Sequence, residues 1–233
     1  MAESDTPPNT SPPVENDANL LSALQRLPLF PLPNVVLFPH ALLPLHIFEE
    51  RYRAMVRDIL SGARFIAVSL IAADAVEGEE KPPVQPIAGV GEVVMAHELP
   101  DGRFNLVVRG RARVHIDEEL ASDRPYRLVT ATLVPDNAVE PGELRDADQA
   151  LRALINQLAD AIPEGGELLR QVVASQPTPA ELVDVVAAAL IVDPLLRQRL
   201  LETRDIGKRI ERVAAEVVGM TARIGGSGRS TVN

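Results

Sequence analysis

Four histidines, two adjacent glutamates, an alternating set of arginines and two lysines are the side chains whose types and spacing bear most directly on chemistry. His40 and His46 flank a proline-containing stretch, while His97 and His115 are far from both, so the four complete no common zinc pattern. They read as surface or hydrogen-bonded histidines. Glu49 and Glu50 form a carboxylate pair of the kind used in acid–base catalysis, but acids in the first turn of a helix are stabilised by its positive end, by about 0.3–1 kcal/mol each. Arg109, Arg111 and Arg113 would share one face of a regular strand, with Val108, Gly110, Ala112 and Val114 on the other. Such a basic stripe can meet phosphate or an acidic peptide, or it can be a solvated face paired with neighbouring acids, and Gly110 can break its register with a bulge. With no cysteine in the chain, disulfides, thiolate zinc sites and cysteine nucleophiles are excluded together. A Ser-His-Asp triad assembles from distant residues and leaves no local trace, but no nucleophile elbow is present. The expectation is a protein without enzyme activity, cofactor or metal.

The formal charge of −10 argues against a general binder of nucleic acid or anionic membrane. Part of that charge is local: Glu3, Asp5, Glu15 and Asp17 all precede the first basic residue, Arg26. Residues 1–24 are expected to be a disordered acidic tail, because Pro, Asn, Ser, Thr and Asp dominate its first 19 or so positions and cannot bury enough surface to offset the entropy of ordering. No basic-then-apolar leader opens the sequence, and no apolar run approaches the roughly 20 residues needed to span a bilayer. Together with the missing cysteines, this predicts a cytoplasmic protein without membrane contact.

The elements that must position these side chains fall into two groups. Leu42–Ile47, Phe65–Leu70, Val90–Ala96, Phe104–Val108, Arg113–Ile116 and Tyr126–Val134 are short runs rich in β-branched or large apolar residues, hence strands. Pro100-Asp101-Gly102 supplies a hairpin turn. One helix interrupts them over Glu49–Leu60, with Tyr52, Met55, Val56 and Ile59 on one face. Residues 73–86, acidic and then proline-rich, read as an exposed loop. After Pro141-Gly142 the period changes: Leu144, Ala147, Leu151, Leu154 and Leu158 mark a helix of about 19 residues. Thr178-Pro179-Ala180-Glu181 is a capping box, Asp193-Pro194 repeats the start signal, and a last helix begins near Asp205. From Gly225 a Gly/Ser tail is expected. The fold class is α+β, a β domain over 25–139 with one inserted helix, then a helical bundle over 140–222 and a flexible tail over 223–233.

The stretch Leu27–Leu60 places prolines at 28, 31, 33, 39 and 44 among large aliphatics, which implies two short strands joined by a stiff, kinked apolar loop. Leu27-Pro28-Leu29-Phe30-Pro31-Leu32, Val35-Val36-Leu37-Phe38-Pro39 and Pro44-Leu45-His46-Ile47-Phe48-Glu49, running into Arg51-Tyr52, resemble the start of the Lon protease amino-terminal, substrate-binding domain. The resemblance continues through Gly89-Val90-Gly91, Val108-Arg109-Gly110-Arg111-Ala112-Arg113, Pro125-Tyr126 and Arg197-Gln198-Arg199-Leu200-Leu201-Glu202. It implies a PUA-like β pseudobarrel. It implies neither engine of Lon: no GxxxxGK[ST] loop is present to hold nucleotide phosphates, and Lys81 and Lys208 sit in a proline-rich loop and on a helix surface, unlike a Ser-Lys dyad. A stand-alone recognition domain without ATPase and peptidase is therefore expected.

Its partners would be unfolded or flexible polypeptides and a separate Lon protease, with a role as adaptor or regulator of proteolysis. Self-association is left open. Val35, Leu37 and Phe38 are the candidate polypeptide-binding residues if the loop 34–39 is exposed; if they pack inward, they close the barrel instead. The alternatives are an RNA-binding PUA-like protein, opposed by net acidity and by only five Phe and two Tyr for stacking, or an unrecognised hydrolase.

Overall fold

The computed structural model describes residues 14–76, 78–140, 142–162 and 165–227; the side chains of 14–17 and 225–227 are left aside. Six strands, β1 (Leu27–Leu32), β2 (Leu42–Ile47), β3 (Phe65–Leu70), β4 (Ile87–Glu98), β5 (Phe104–Leu120) and β6 (Arg127–Leu133), form one mixed sheet. Helix α1 (Val14–Ala23) precedes the sheet and α2 (Glu50–Leu60) crosses from β2 to β3. Five helices follow it: α3 (Arg145–Ala161), α4 (Gly166–Ala174), α5 (Pro179–Leu190), α6 (Pro194–Glu202) and α7 (Ile206–Ser227). The class is α+β, as expected.

Strand order is β2-β5-β4-β3-β1-β6, with β1 and β3 parallel and the other pairs antiparallel. The long β5 closes the sheet on itself. One edge of β5 carries β4; the other carries β2 along 104–109 and β6 along 114–120. The ring β5–β4–β3–β1–β6 thus has no free edge, while β2 projects as an edge strand. Closure needs local curvature, and three bulges provide it: Arg111 is extra in β5 opposite β4, Val94 in β4, and Asp117 in β5 opposite β6.

The proline-spaced loop between β1 and β2 lies against the β4–β5 pair, and glycines make room for it. A Cβ at Gly89 would stand 1.9 Å from the Leu37 carbonyl oxygen, and one at Gly110 would stand 1.9 Å from that of Phe38. The loop is also bonded there, with the His40 N–H donating to the Gly110 carbonyl at 2.9 Å and the Gly110 N–H donating to Ala41 at 2.9 Å. His40 takes a positive φ of 64° to make this turn.

Three apolar clusters result. One fills the ring beneath α1 with Leu20, Leu24, Leu27, Leu29 and Val129; a second lies under α2 with Leu37, Tyr52, Met55 and Phe104; a third unites the five C-terminal helices around Leu151, Leu182 and Val213 and takes in Phe38.

Several expectations need correction. Residues 14–24 are no tail: α1 forms there, and Leu20 and Leu24, one turn apart, are buried against β1 and the ring. Average composition hid this, because the apolar residues concentrate at the very end of the segment. Residues 1–13 lie outside the described part. Phe104–Val108 and Arg113–Ile116 are one continuous strand, since a bulge lets the chain pass Gly110 without stopping. Helix α4 had no strong signal, being short and opened by Gly165-Gly166. At the other end α7 continues to Ser227 through the expected Gly/Ser tail; residues 228–233, like Pro141, lie outside the described part.

Candidate functional site

The loop 34–39 is not an exposed binding surface. Leu37 is 1% exposed and Phe38 0%, in two different clusters, while Val35 is half-buried against the cluster that holds Leu37. Five prolines between 28 and 44 stiffen the segment, and the glycine notches at 89 and 110 seat it. The three residues act as a plug.

The arginine stripe is likewise broken up. The bulge at Arg111 shifts the register, so the three side chains diverge. Arg109 is exposed, Arg111 is half-buried with Glu92 at 3.4 Å, and Arg113 is buried. Arg113 reaches across to the helices: its Nε donates to the Leu201 carbonyl at 2.9 Å and its Nη2 to both Asp184 oxygens at 2.6 and 2.8 Å. Arg209 of α7 completes the cluster through two bonds to Asp136, at 2.6 and 3.0 Å, and its Nε lies 3.2 Å from Asp184 without an aligned hydrogen bond. Burial pushes the Asp184 carboxyl upward against the pull of the two guanidiniums. Two cations and two anions enclosed in this way form a structural clamp between sheet and helices.

An open surface site exists elsewhere. β1, β2, the start of α2 and the loop after β3 surround a largely apolar groove of about 740 Å³, lined among others by Phe30, Leu45, Phe48, Tyr52 and Val76. Phe48 is 63% exposed and Val76 71%. Local sequence explains Phe48. Glu49 is the N-cap of α2, so Phe48 holds the position that normally packs on the fourth helical residue, here the cationic Arg53. With no apolar staple partner, the ring stays out, 6.4 Å from the His46 ring. Tyr52 forms the floor, edge-on to Phe30 at 4.5 Å, and burial holds its hydroxyl above the usual tyrosine range. The Arg51 guanidinium lies over the Tyr52 ring at 4.6 Å and pairs with Glu49 at 2.9 Å. Beside the groove, β2 alternates exposed Leu42, Pro44 and His46 with half-buried Leu43 and Leu45, and Pro44 interrupts its outer edge. Sequence reasoning read residues 73–86 only as a loop, yet Ala75, Val76, Glu79 and Pro82 build one groove wall.

The histidines are dispersed. His46 pairs with Asn105 at 2.7 Å and Arg103 at 3.2 Å, His115 with Asp117 at 2.8 Å, and His40 lies 3.5 Å from Glu181. Among the described residues no group of three or more His, Asp or Glu is placed to hold a metal ion, and no helix is long and apolar enough to cross a membrane. Glu49 and Glu50 sit at the start of α2, paired with Arg51 and Arg53 at 2.9 and 2.8 Å.

Comparison with known proteins agrees with this architecture. Residues 26–218 match the ATP-dependent protease La (LON) substrate-binding domain family. Among curated proteins, the chain is 29% identical to a Lon protease of Xanthomonas oryzae over 83% of its own length and 23% of the relative's. It is 30% identical to one of Geobacter metallireducens over 80% of its length and 23% of the relative's. It thus spans about a quarter of the curated relatives it matches. Among solved structures, the N-terminal domain of Mycobacterium avium complex Lon protease superposes with a TM-score of 0.67 at 18% identity, covering 83% of this chain and 98% of that one. A Lon N-terminal domain protein from Xanthomonas campestris gives 0.55 at 23%, covering 82% and 97%. At these identities the two structures establish the fold, and the family match establishes kinship: this chain belongs to the Lon substrate-binding domain family.

Proposed function

We propose that the protein recognises unfolded or extended polypeptide, without catalysis, through the groove between β1, β2 and α2. The observation that carries this reading is the pair of large apolar side chains, Phe48 and Val76, left exposed across an apolar cleft and next to an edge strand. Exposed apolar clefts of this size collect apolar side chains, and an edge strand can accept extended backbone. Leu37, with Val35 packed beside it, shares the cluster of Phe30 and Tyr52 and supports the groove from within, whereas Phe38 packs among the C-terminal helices. On this reading the closed ring of strands is the PUA-like pseudobarrel, the helices after residue 140 form a bundle that braces it, and the protein serves in the cytoplasm as an adaptor or regulator of proteolysis, alongside a Lon protease.

Binding of several reduced, alkylated proteins, measured by anisotropy, tests the reading. Wild type should bind them and Phe48→Asp/Val76→Asp should bind about 10-fold or more weakly, at an unchanged unfolding midpoint, since exposed positions shift stability by only about 0.5 kcal/mol. Wild-type failure on every denatured protein, or undiminished binding by the double variant, would overturn it.

A further inference from the structure

The groove does not end at its apolar wall. A second pocket of about 230 Å³ adjoins it, sharing Pro31, Arg51 and Tyr52, and a third, of about 180 Å³, shares Arg124 and Tyr126 with the second. Among the described residues, these two pockets are lined by six basic side chains, Arg26, Arg51, Arg64, Lys81, Arg124 and Arg127, against three carboxylates, Asp58, Glu80 and Glu119. The chain as a whole has the opposite balance, 23 basic residues against 33 acidic.

The carboxylates present are shared. Glu119 serves Arg127 at 2.8 Å and Lys81 at 3.4 Å; Asp58 accepts from Arg124 at 2.8 Å and from the Tyr126 hydroxyl at 2.6 Å. Arg51 has its own partner in Glu49. Lys81 and Arg124 remain exposed, each held by a carboxylate that another donor also uses. A further carboxylate entering between them would gain charge-assisted hydrogen bonds from cations that lack an exclusive partner.

We infer that the apolar groove and the basic pockets beside it form one composite site, selecting polypeptide segments in which a large apolar residue stands close to a carboxylate. The inference rests on the polypeptide-recognition reading above and deepens it. The carboxylate can come from Asp or Glu side chains or from a chain terminus, and both present the same group to Lys81 and Arg124. In an acidic protein this patch also works by exclusion: basic segments, which the net charge would otherwise attract, meet repulsion beside the groove.

Labelled peptides with a common apolar core distinguish the outcomes. One is flanked by acids with an amidated end, one is neutral with a free terminal carboxylate, one neutral and amidated, and one flanked by lysines. At about 0.05 M salt the acidic peptide should bind roughly 10-fold tighter than the basic one, and the gap should shrink by about 0.5 M salt, because these groups are solvent-accessible. Lys81→Glu/Arg124→Glu should abolish the gap, and the milder Lys81→Gln/Arg124→Gln should halve it on a logarithmic scale. Neither residue lines the apolar groove, so the neutral amidated peptide should change less than about twofold. A preference for the free-terminus peptide over its amidated twin assigns the carboxylate to a chain end; a preference confined to the acidic peptide assigns it to side chains. If apolar peptides bind but acidic and basic flanks are equivalent, or if the gap survives charge reversal, this inference fails while the groove reading stands. Binding by none of the four overturns both.

Discussion

Arg113 donates two hydrogen bonds from one nitrogen to the carboxylate of Asp184, at 2.6 and 2.8 Å, with side chains only 4% and 2% exposed. β5 and α5 are far apart in sequence, and this pair ties them. Asp184→Ala should destabilise the fold by about 3–5 kcal/mol, because it leaves two buried guanidiniums, Arg113 at 3.3 Å and Arg209 at 2.6 Å, sharing the single carboxylate of Asp136. Denaturant midpoints of Asp184→Ala and of Asp184→Leu/Arg113→Met measure it, and the apolar double variant should recover much of the loss. A single-variant change under about 1 kcal/mol would mean the pair is not the clamp described.

Two glycines should tolerate no side chain. Gly110→Ala and Gly89→Ala would each place a Cβ 1.9 Å from a backbone carbonyl oxygen of the plug loop, which cannot yield without leaving its seat. Loss of soluble protein, or a fall in stability above about 3 kcal/mol, is the expected result. Gly78→Ala is the control: φ is +84° but nothing lies within 4 Å, so only modest backbone strain of about 1 kcal/mol follows.

Phe38 and Phe48 should respond in opposite ways. Phe38→Ala should cost about 3–5 kcal/mol by opening a cavity beneath the helices. Phe48→Ala should leave stability within about 0.5 kcal/mol and weaken polypeptide binding. Thermal unfolding and anisotropy on the same two samples decide it.

Stability should fall at alkaline pH. The Tyr126 hydroxyl is pushed up to about 12, first by burial and then by its bond to Asp58 at 2.6 Å, against an ordinary value of 10.0. Between those values the unfolded chain ionises its tyrosine while the folded one keeps its proton, so the unfolded state gains and stability drops as pH rises. Below about pH 10 this contribution is flat. Tyr126→Phe should reduce the slope above pH 10 in urea midpoints, though not remove it, because burial raises Tyr52 as well.

Much of the architecture could be read from residues alone. Tyr52, Met55, Val56 and Ile59 marked the buried face of α2, and Thr178 and Glu181 form both bonds of the capping box that opens α5. Local rules sufficed because those signals are local. The site was not legible in the same way. Leu37 and Phe38 are as apolar as any binding residue, and their burial depends on seating the loop backbone against glycines of β4 and β5 that are far away in sequence. Arg113 fell out of its stripe because of a one-residue bulge, whose position depends on strand pairing. Phe48 was accessible in principle: an aromatic residue before an N-cap whose fourth helical residue is Arg53 has nothing to pack on. The basic pockets were beyond reach, since Arg26, Lys81 and Arg124 converge only once the ring has closed.

Leu37 and Phe38 are neighbours in the chain, but one belongs to the cluster under α2 and the other to the cluster of the helices. A single peptide unit is therefore shared by two cores, and neither can melt while the other keeps its anchor in register. The two should unfold in one transition, with calorimetric and van 't Hoff enthalpies equal. A chain cut near residue 140 would not leave a self-sufficient half, because the phenylalanine that locks the loop would have lost the surface it was locked against.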